Sequence, residues 1–237
     1  TLLASSAASD VYKRQILILE AAGMKQNKEW KMKIIGITGG VGSGKSEILN
    51  ILENEYGARI IIADLVAHKL MEPDGISYKG IVKAFGKGIV KADGFIDREV
   101  LGSIVFCSER KLKILNEITH KNVDAEIMRQ IEEIRKEDPN ALVVCEAALL
   151  VGAQYESLFD QLWYIYTKEE IRFRRLKASR GYSDRKIRQM MESQKTEEEF
   201  KAAATHVIDN SGDLEETRRQ IREILGDAAQ SPAASGF

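Results

Sequence analysis

With only two cysteines, Cys107 and Cys145, in 237 residues, the chain has too few thiols, too widely spaced, for a disulfide framework or a zinc site. Both lie in apolar stretches, and a reduced cytosol is the natural compartment. Histidine is as sparse. His68, His120 and His206 show no metal-ligand spacing, so each reads first as structural. Charge of one sign is also missing: 35 Lys and Arg stand against 36 Asp and Glu, a net charge of −1. Such a balance excludes bulk attraction to nucleic acid or an anionic membrane and requires any basic patch to be weighed locally. The apolar run Ile16 to Leu19, behind Lys13 and Arg14, is cut short by Glu20 and is too brief for a signal peptide or a membrane span. No internal repeat is visible. What remains, 44% apolar and 30% charged residues, is the composition of an ordinary globular protein, long enough for one core with small appended subdomains.

Against that plain background, Gly39 to Ser46 read GGVGSGKS, a complete GxxxxGKS phosphate-binding loop between a short apolar run (Ile34, Ile35, Ile37) and a helical pattern. Its glycines let backbone N–H groups wrap a polyphosphate without side-chain obstruction. Lys45 reaches the β- and γ-phosphates, the Ser46 hydroxyl ligates Mg²⁺, and the following helix adds its dipole to the same anion site. ATP or GTP is the expected ligand.

Further along, Ile48, Leu49, Leu52 and Tyr56 form a helix face closed by Gly57, and Arg59 to Ala63 reads as a buried strand ending at Asp64. Ala141 to Cys145 ends at Glu146, Leu162 to Tyr166 precedes another helix, and Val207-Ile208 leads into Asp209-Asn210-Ser211-Gly212 and a closing helix, Asp213 to Leu225. Strands alternating with helices predict an α/β fold whose parallel sheet is covered on both faces, with ligands beyond the carboxyl ends of the strands, where the phosphate loop, Asp64 and Glu146 are expected to converge. The long insert of about residues 68–137 holds a Pro73-Asp74-Gly75 turn, a helix capped by Asp97 and a longer helix showing Leu112, Leu115, Ile118, Ile127, Ile131 and Ile134. It is either an acceptor-binding subdomain or a structural helical pair.

Residues 172–188 carry Arg172, Arg174, Arg175, Lys177, Arg180, Arg185, Lys186 and Arg188 against one acid, Asp184. Behind a phosphate loop, that density favours a lid whose arginines close over a triphosphate, ahead of a solvated helix face or an RNA-binding stripe. Only one or two of these side chains are expected to touch phosphate. A GTPase would carry a guanine-reading NKxD, which Thr167-Lys168-Glu169-Glu170 is not, and a motor or transport ATPase would end a strand in Asp-Glu, whereas Glu146 stands alone. A small kinase fits size, insert and basic segment together. The alternatives are a kinase of the same architecture for another acceptor, such as a nucleoside monophosphate, and a non-catalytic nucleotide-dependent binding protein whose basic segment grips RNA.

The order ITGGVGSGKS, IIIADLVAHKL, AFG, a DG-xx-DR region, LNEITH, EAALL, RRLKASRGYS, an ESQ helix and HVIDNSG resembles the dephospho-coenzyme A kinase family over about residues 33–225. The resemblance implies a P-loop three-layer α/β/α fold with a five-stranded parallel sheet, a helical substrate subdomain and a lid. It also implies transfer of the ATP γ-phosphoryl to the ribose 3′-hydroxyl of dephospho-coenzyme A, with ATP and Mg²⁺ as cofactors and a small molecule as partner rather than nucleic acid or membrane. On the matched positions, Gly40, Val41, Gly42, Ser43, Gly44, Lys45, Ser46 and the amide of Glu47 hold the nucleotide. Asp64 orients or deprotonates the 3′-hydroxyl, or alternatively ligates a metal-bound water. Ser46 and Glu146 hold Mg²⁺, the latter through water; Arg175 and Arg180 are the lid arginines, with a spacing one residue longer than the commonest pattern; Asn210 lies in the loop near adenine; and Arg98 and His120 fall in the substrate subdomain.

Five positions depart from the family's pattern: Ile62 replaces the first acid of Asp-Ala-Asp, Glu47 a Thr, Lys121 a Pro, Gly152 an acid and Thr205 an Asp. Glu47 suits a helix start but repels phosphate, so its side chain is expected to turn outward, with weakened ATP affinity at most. Residues 1–31, which open on the low-complexity TLLASSAASD and lack an initiator Met at position 1, are expected to be a disordered or artefactual leader, with Met32 or Met24 as the natural start. Residues 32–226 form the expected kinase domain: core about 32–67, 138–168 and 200–226, insert 68–137, lid 169–199. Residues 227–237 are an expected disordered tail.

Overall fold

The computed structural model describes residues 32–146 and 158–226. The expected leader, Gly152, most of the EAALL segment and the expected tail lie outside these residues. Two compact units divide the chain, one formed by residues up to Ile60 and from Asp138 on, the other by Ile61–Glu137.

In the first unit, β1 (Lys33–Thr38) runs into α1 (Lys45–Tyr56) through the phosphate loop, and β2 (Arg59–Ile62) carries the chain across the unit boundary. After the second unit come β3 (Leu142–Glu146), β4 (Gln161–Tyr166), α6 (Glu169–Arg180), α7 (Asp184–Glu192), α8 (Glu197–Ala203), β5 (His206–Asp209) and α9 (Leu214–Leu225). The parallel sheet has the order β2-β3-β1-β4-β5, with Ile35 opposite Val144 on one side of β1 and Ile37 opposite Trp163 on the other. Central strands of a parallel sheet lose water on both faces, and the sequence obliges: Ile35, Ile37, Val143, Val144, Trp163 and Ile165 are all fully buried. Ile48, Ile51 and Leu52 of α1 and Ile221 of α9 are buried as well.

Helix boundaries follow local chemistry. Gly57 ends α1 in the left-handed region at φ 65° and donates its N–H to the Leu52 carbonyl. Asp213 caps α9 by accepting from the Glu216 N–H, and Thr196 and Glu199 make a reciprocal capping box at α8.

The second unit holds α2 (Ala63–Leu70), α3 (Ile76–Phe85), a 3-10 turn (Lys87–Ile89), α4 (Arg98–Phe106) and α5 (Glu109–Glu137). Its core joins Ile81, Ile89, Ile96, Leu101 and Val105. Asp97 caps α4 as expected, its carboxylate accepting from the Glu99 and Val100 N–H groups. In the Pro73-Asp74-Gly75 turn, Asp74 has φ 72°.

Three expectations are corrected. β2 ends at Ile62, and Asp64 is the second residue of α2 instead of a strand-end residue. The stretch ADLVAHKL favours a helix without a linker, and an acid in its first turn complements the dipole. Cys107 is exposed, although Cys145 is buried: it caps the C-terminus of α4 beyond the face formed by Leu101 and Val105. The expected boundary between core and insert, 67 to 68, falls inside α2, whose helix packs with α5 in the second unit.

Candidate active site

Backbone conformation and close approach both demand glycine in the loop between β1 and α1. Gly44, the N-cap of α1, has φ 85°, and a Cβ there would lie 2.3 Å from the Asn210 Nδ2. At Gly40 a Cβ would lie 2.3 Å from an Arg172 Nη. Lys45 bends back over the loop, its ammonium donating to the Gly39 carbonyl at 2.9 Å and standing 3.7 Å from the Glu146 carboxylate at the end of β3. The hydroxyls of Thr38 and Ser43 are buried and make no hydrogen bond among the described residues. Ser46 and Glu47, in the first turn of α1, are exposed.

The outer rim of the loop is tied to three distant segments. The Ser43 carbonyl accepts from Thr167 Oγ1 at 2.9 Å, from Asn210 Nδ2 at 2.8 Å and, more weakly, from Arg175 Nη1 at 3.5 Å. Arg175 also donates to the Asn210 carbonyl at 3.0 Å, and buried Thr217 donates to the Asn210 Oδ1 at 3.1 Å. The peptide groups of Val41 are held from both ends: its N–H donates to Gln194 Oε1 at 3.0 Å, and its carbonyl accepts from Arg172 Nε at 2.9 Å. Arg172 Nη2 closes the triangle on Gln194 Oε1 at 2.9 Å.

Among the anticipated residues, Lys45, Glu146, Arg175 and Asn210 therefore gather at the phosphate loop. Arg180 ends α6, exposed, its guanidinium 6.0 Å from the centre of the Tyr182 ring. Asp64, Arg98 and His120 belong to the second unit, all three exposed. There a cavity of about 180 Å³ is lined by His68, Met71, Glu72, Phe95, Ile96 and Arg98. Asp64 precedes His68 by one turn on α2, which sets the two side chains on one helix face. His120, on α5, does not line the cavity.

Thr167, Arg172 and Gln194 are loop contacts that sequence reasoning did not single out. Arg172 stands in the basic segment and Gln194 in the ESQ helix, and their common target, Val41, lies 131 and 153 positions away.

A Mg²⁺ ion suits the donors present. No group of three or more His, Cys, Asp or Glu side chains among the described residues forms a metal cage. Mg²⁺ beside a polyphosphate needs none, because it keeps several waters and takes one or two protein oxygens plus phosphate oxygens. The Ser46 hydroxyl at the start of α1 and the Glu146 carboxylate are oxygen donors of that kind. No helix among the described residues is long and apolar enough to cross a membrane.

A glycine loop leading from the central strand of a parallel sheet into a helix, with its lysine folded over the loop, defines a nucleotide-binding protein of the P-loop α/β class. The family model described as dephospho-CoA kinase matches residues 33–216, and the chain belongs to that family. It is 41% identical over 194 residues to the dephospho-CoA kinase of Carboxydothermus hydrogenoformans, covering 82% of this chain and 93% of that protein. It is 36% identical to the one from Moorella thermoacetica, covering 86% and 98%. Among solved structures, TT1252 from Thermus thermophilus aligns with a TM-score of 0.69 at 30% identity over 81% of this chain and 96% of that one. The dephospho-CoA kinase from Campylobacter jejuni aligns at 0.57 and 25% identity, over 84% and 98%.

Proposed function

We propose that this chain transfers the γ-phosphoryl group of ATP to the ribose 3′-hydroxyl of dephospho-coenzyme A, giving coenzyme A and ADP. The observation that carries the proposal is the combination of family membership over residues 33–216 with an intact phosphate loop whose Lys45 is already folded over it. The 3′-oxygen attacks the γ-phosphorus, the bond to the bridging oxygen of ADP breaks, and the proton of the hydroxyl passes to the Asp64 carboxylate. Lys45 follows the migrating negative charge, and the N–H groups from Gly40 to Glu47 hold the polyphosphate. Ser46 and Glu146 would hold Mg²⁺, which would supply positive charge to the polyphosphate. Arg175 holds the loop from the lid side through its bonds to Ser43 and Asn210, and Arg180 supplies a second lid cation.

For the acceptor, the cavity of the second unit combines Met71, Phe95 and Ile96 with the Arg98, His68 and Glu72 side chains. A flat or chain-like organic group bearing phosphate suits such a lining, and we assign the cavity to the acceptor, with Arg98 as its anion contact and His120 outside it. ADP release from ATP and Mg²⁺, measured with and without dephospho-coenzyme A, tests the proposal. Strong dependence on that acceptor supports it. Equal rates without it, or preference for a nucleoside monophosphate, would overturn it.

A further inference from the structure

The triangle of Arg172, Gln194 and Val41 carries an inference that extends the proposed reaction and rests on the phosphate loop binding ATP, not on the identity of the acceptor. Arg172 is half-buried on α6, and its guanidinium lies so close over Gly40 that a methyl group there would meet it at 2.3 Å. Every hydrogen-bond partner it has among the described residues is a neutral oxygen, the Val41 carbonyl and the Gln194 amide, and it forms no ion pair there. Burial pushes its guanidinium below the ordinary value, against the opposing pull of Tyr164 and of the Glu169 carboxylate, as expected for a cation that has lost water with no anion in hydrogen-bond contact. Among the described residues, Arg175 on the same helix also bonds only to neutral oxygens, the Ser43 and Asn210 carbonyls, but Arg172 alone reaches over Gly40. Lys45 has Glu146 across from it, Lys177 pairs with Asp184 at 2.9 Å, and Arg180 lies exposed against an aromatic ring.

Gln194 completes the pattern. Its Oε1 accepts from the N–H of Val41 and from Arg172 together, which places one carbonyl oxygen where an anion at the loop would draw on the same two donors. A backbone N–H of a phosphate loop and a guanidinium directed at one oxygen form an anion-binding pair, and the amide oxygen is a neutral occupant of it. We propose that Arg172 is a further catalytic residue that contacts the γ-phosphoryl group of bound ATP, and that Gln194 is a positioning residue whose amide oxygen fills that place until the nucleotide arrives. On binding, a γ-phosphate oxygen replaces Gln194 Oε1 on the Arg172 Nη2 and Val41 N–H donors, while the bond from Arg172 Nε to the Val41 carbonyl keeps the guanidinium over Gly40.

The test compares ATP with ADP by titration calorimetry in the presence of Mg²⁺, with no acceptor present. In Arg172→Gln the ATP affinity is expected to fall about tenfold or more while ADP affinity changes little, since a charge-assisted hydrogen bond to one phosphate is lost. Arg172→Lys should recover part of the ATP preference, because charge is kept and the fork is lost. Gln194→Glu places a carboxylate on the same two donors, so it should weaken ATP more than ADP. In the double variant with Arg172→Gln, that effect should shrink. Melting temperatures of the four proteins identify any that fail to fold, and the comparison is made among those that do. Equal loss of ATP and ADP affinity in Arg172→Gln, or no loss of either, would overturn the assignment. So would a Gln194→Glu effect that is unchanged in the double variant.

Discussion

The Nδ2 of Asn210 donates to the carbonyl of Ser43 at 2.8 Å across 167 positions of sequence, and both groups are buried. Asn210 is thus part of what gives the phosphate loop its shape, because its own Oδ1 is fixed by Thr217 and its own carbonyl by Arg175. Asn210→Leu removes the side-chain bonds to Ser43 and Thr217, leaving the Thr217 hydroxyl only the Asp213 carbonyl at 3.3 Å, and should cost about 1–3 kcal/mol, seen as a lower melting temperature together with weaker ATP binding. Asn210→Asp should be worse for nucleotide than for fold, since it turns a carboxylate oxygen toward the Ser43 carbonyl. Unchanged ATP affinity in both variants would contradict a shaping role.

Lys45→Ala should abolish phosphoryl transfer without unfolding the protein. Its partners include the Gly39 carbonyl and the Glu146 carboxylate, which can turn to water, and it is not part of the buried core. Turnover measured beside a thermal melt checks both halves. Near-normal turnover would remove the phosphate loop from the reaction.

Asp64→Asn keeps size and most hydrogen bonding and deletes the proton acceptor. Turnover should fall by roughly 10²-fold or more with ATP affinity nearly unchanged. A metal-water role would show differently, as a loss partly recovered at high Mg²⁺ and visible in nucleotide affinity as well. Full activity would exclude both roles.

Gly44→Ala is expected to weaken nucleotide binding sharply. The position has φ 85°, and its new Cβ would lie 2.3 Å from the Asn210 amide, so backbone strain and loss of the Ser43 contact act together. Gly57, also at positive φ, has open space around it. Gly57→Ala should therefore lower the melting temperature by a small amount and leave ATP affinity alone, and equal effects at the two glycines would count against this distinction.

The two thiols should separate cleanly. Burial pushes the Cys145 thiol up to about 12, so at pH 8 it holds almost no thiolate, while Cys107 is exposed. Alkylation of the native protein followed by mass spectrometry should modify Cys107 first, with Cys145 reacting only after denaturation. Comparable rates in the native state would show that β3 is not buried as described.

Features written in neighbouring residues were legible before any fold was known. The phosphate loop, the caps at Gly57 and Asp97, and the apolar strands could all be read because spacing and composition decide them locally. The end of β2 was misjudged by two residues: apolar Ile62 and Ala63 suit a strand or a helix equally, and the choice rests on the helix that follows. Arg172 and Gln194 were hidden for another reason. Nothing in eight closely set basic residues says which one faces Val41, since that depends on how α6 lies against a loop more than a hundred positions earlier. Asn210 enters the sequence reading as a neighbour of adenine, and its bond to Ser43 comes only with the fold.

The three donors that meet on the Ser43 carbonyl have a consequence for the order of assembly. Thr167, Arg175 and Asn210 are all made long after the loop they hold, and loops of this length close late because their entropy must be spent before the contact returns anything. As the chain leaves the ribosome, the glycine loop should therefore remain unshaped until β5 and the residues after it have emerged. A nascent chain stalled before Asn210 should carry the whole GGVGSGKS motif and still fail to retain ATP. Competence to bind nucleotide then marks the near-complete protein.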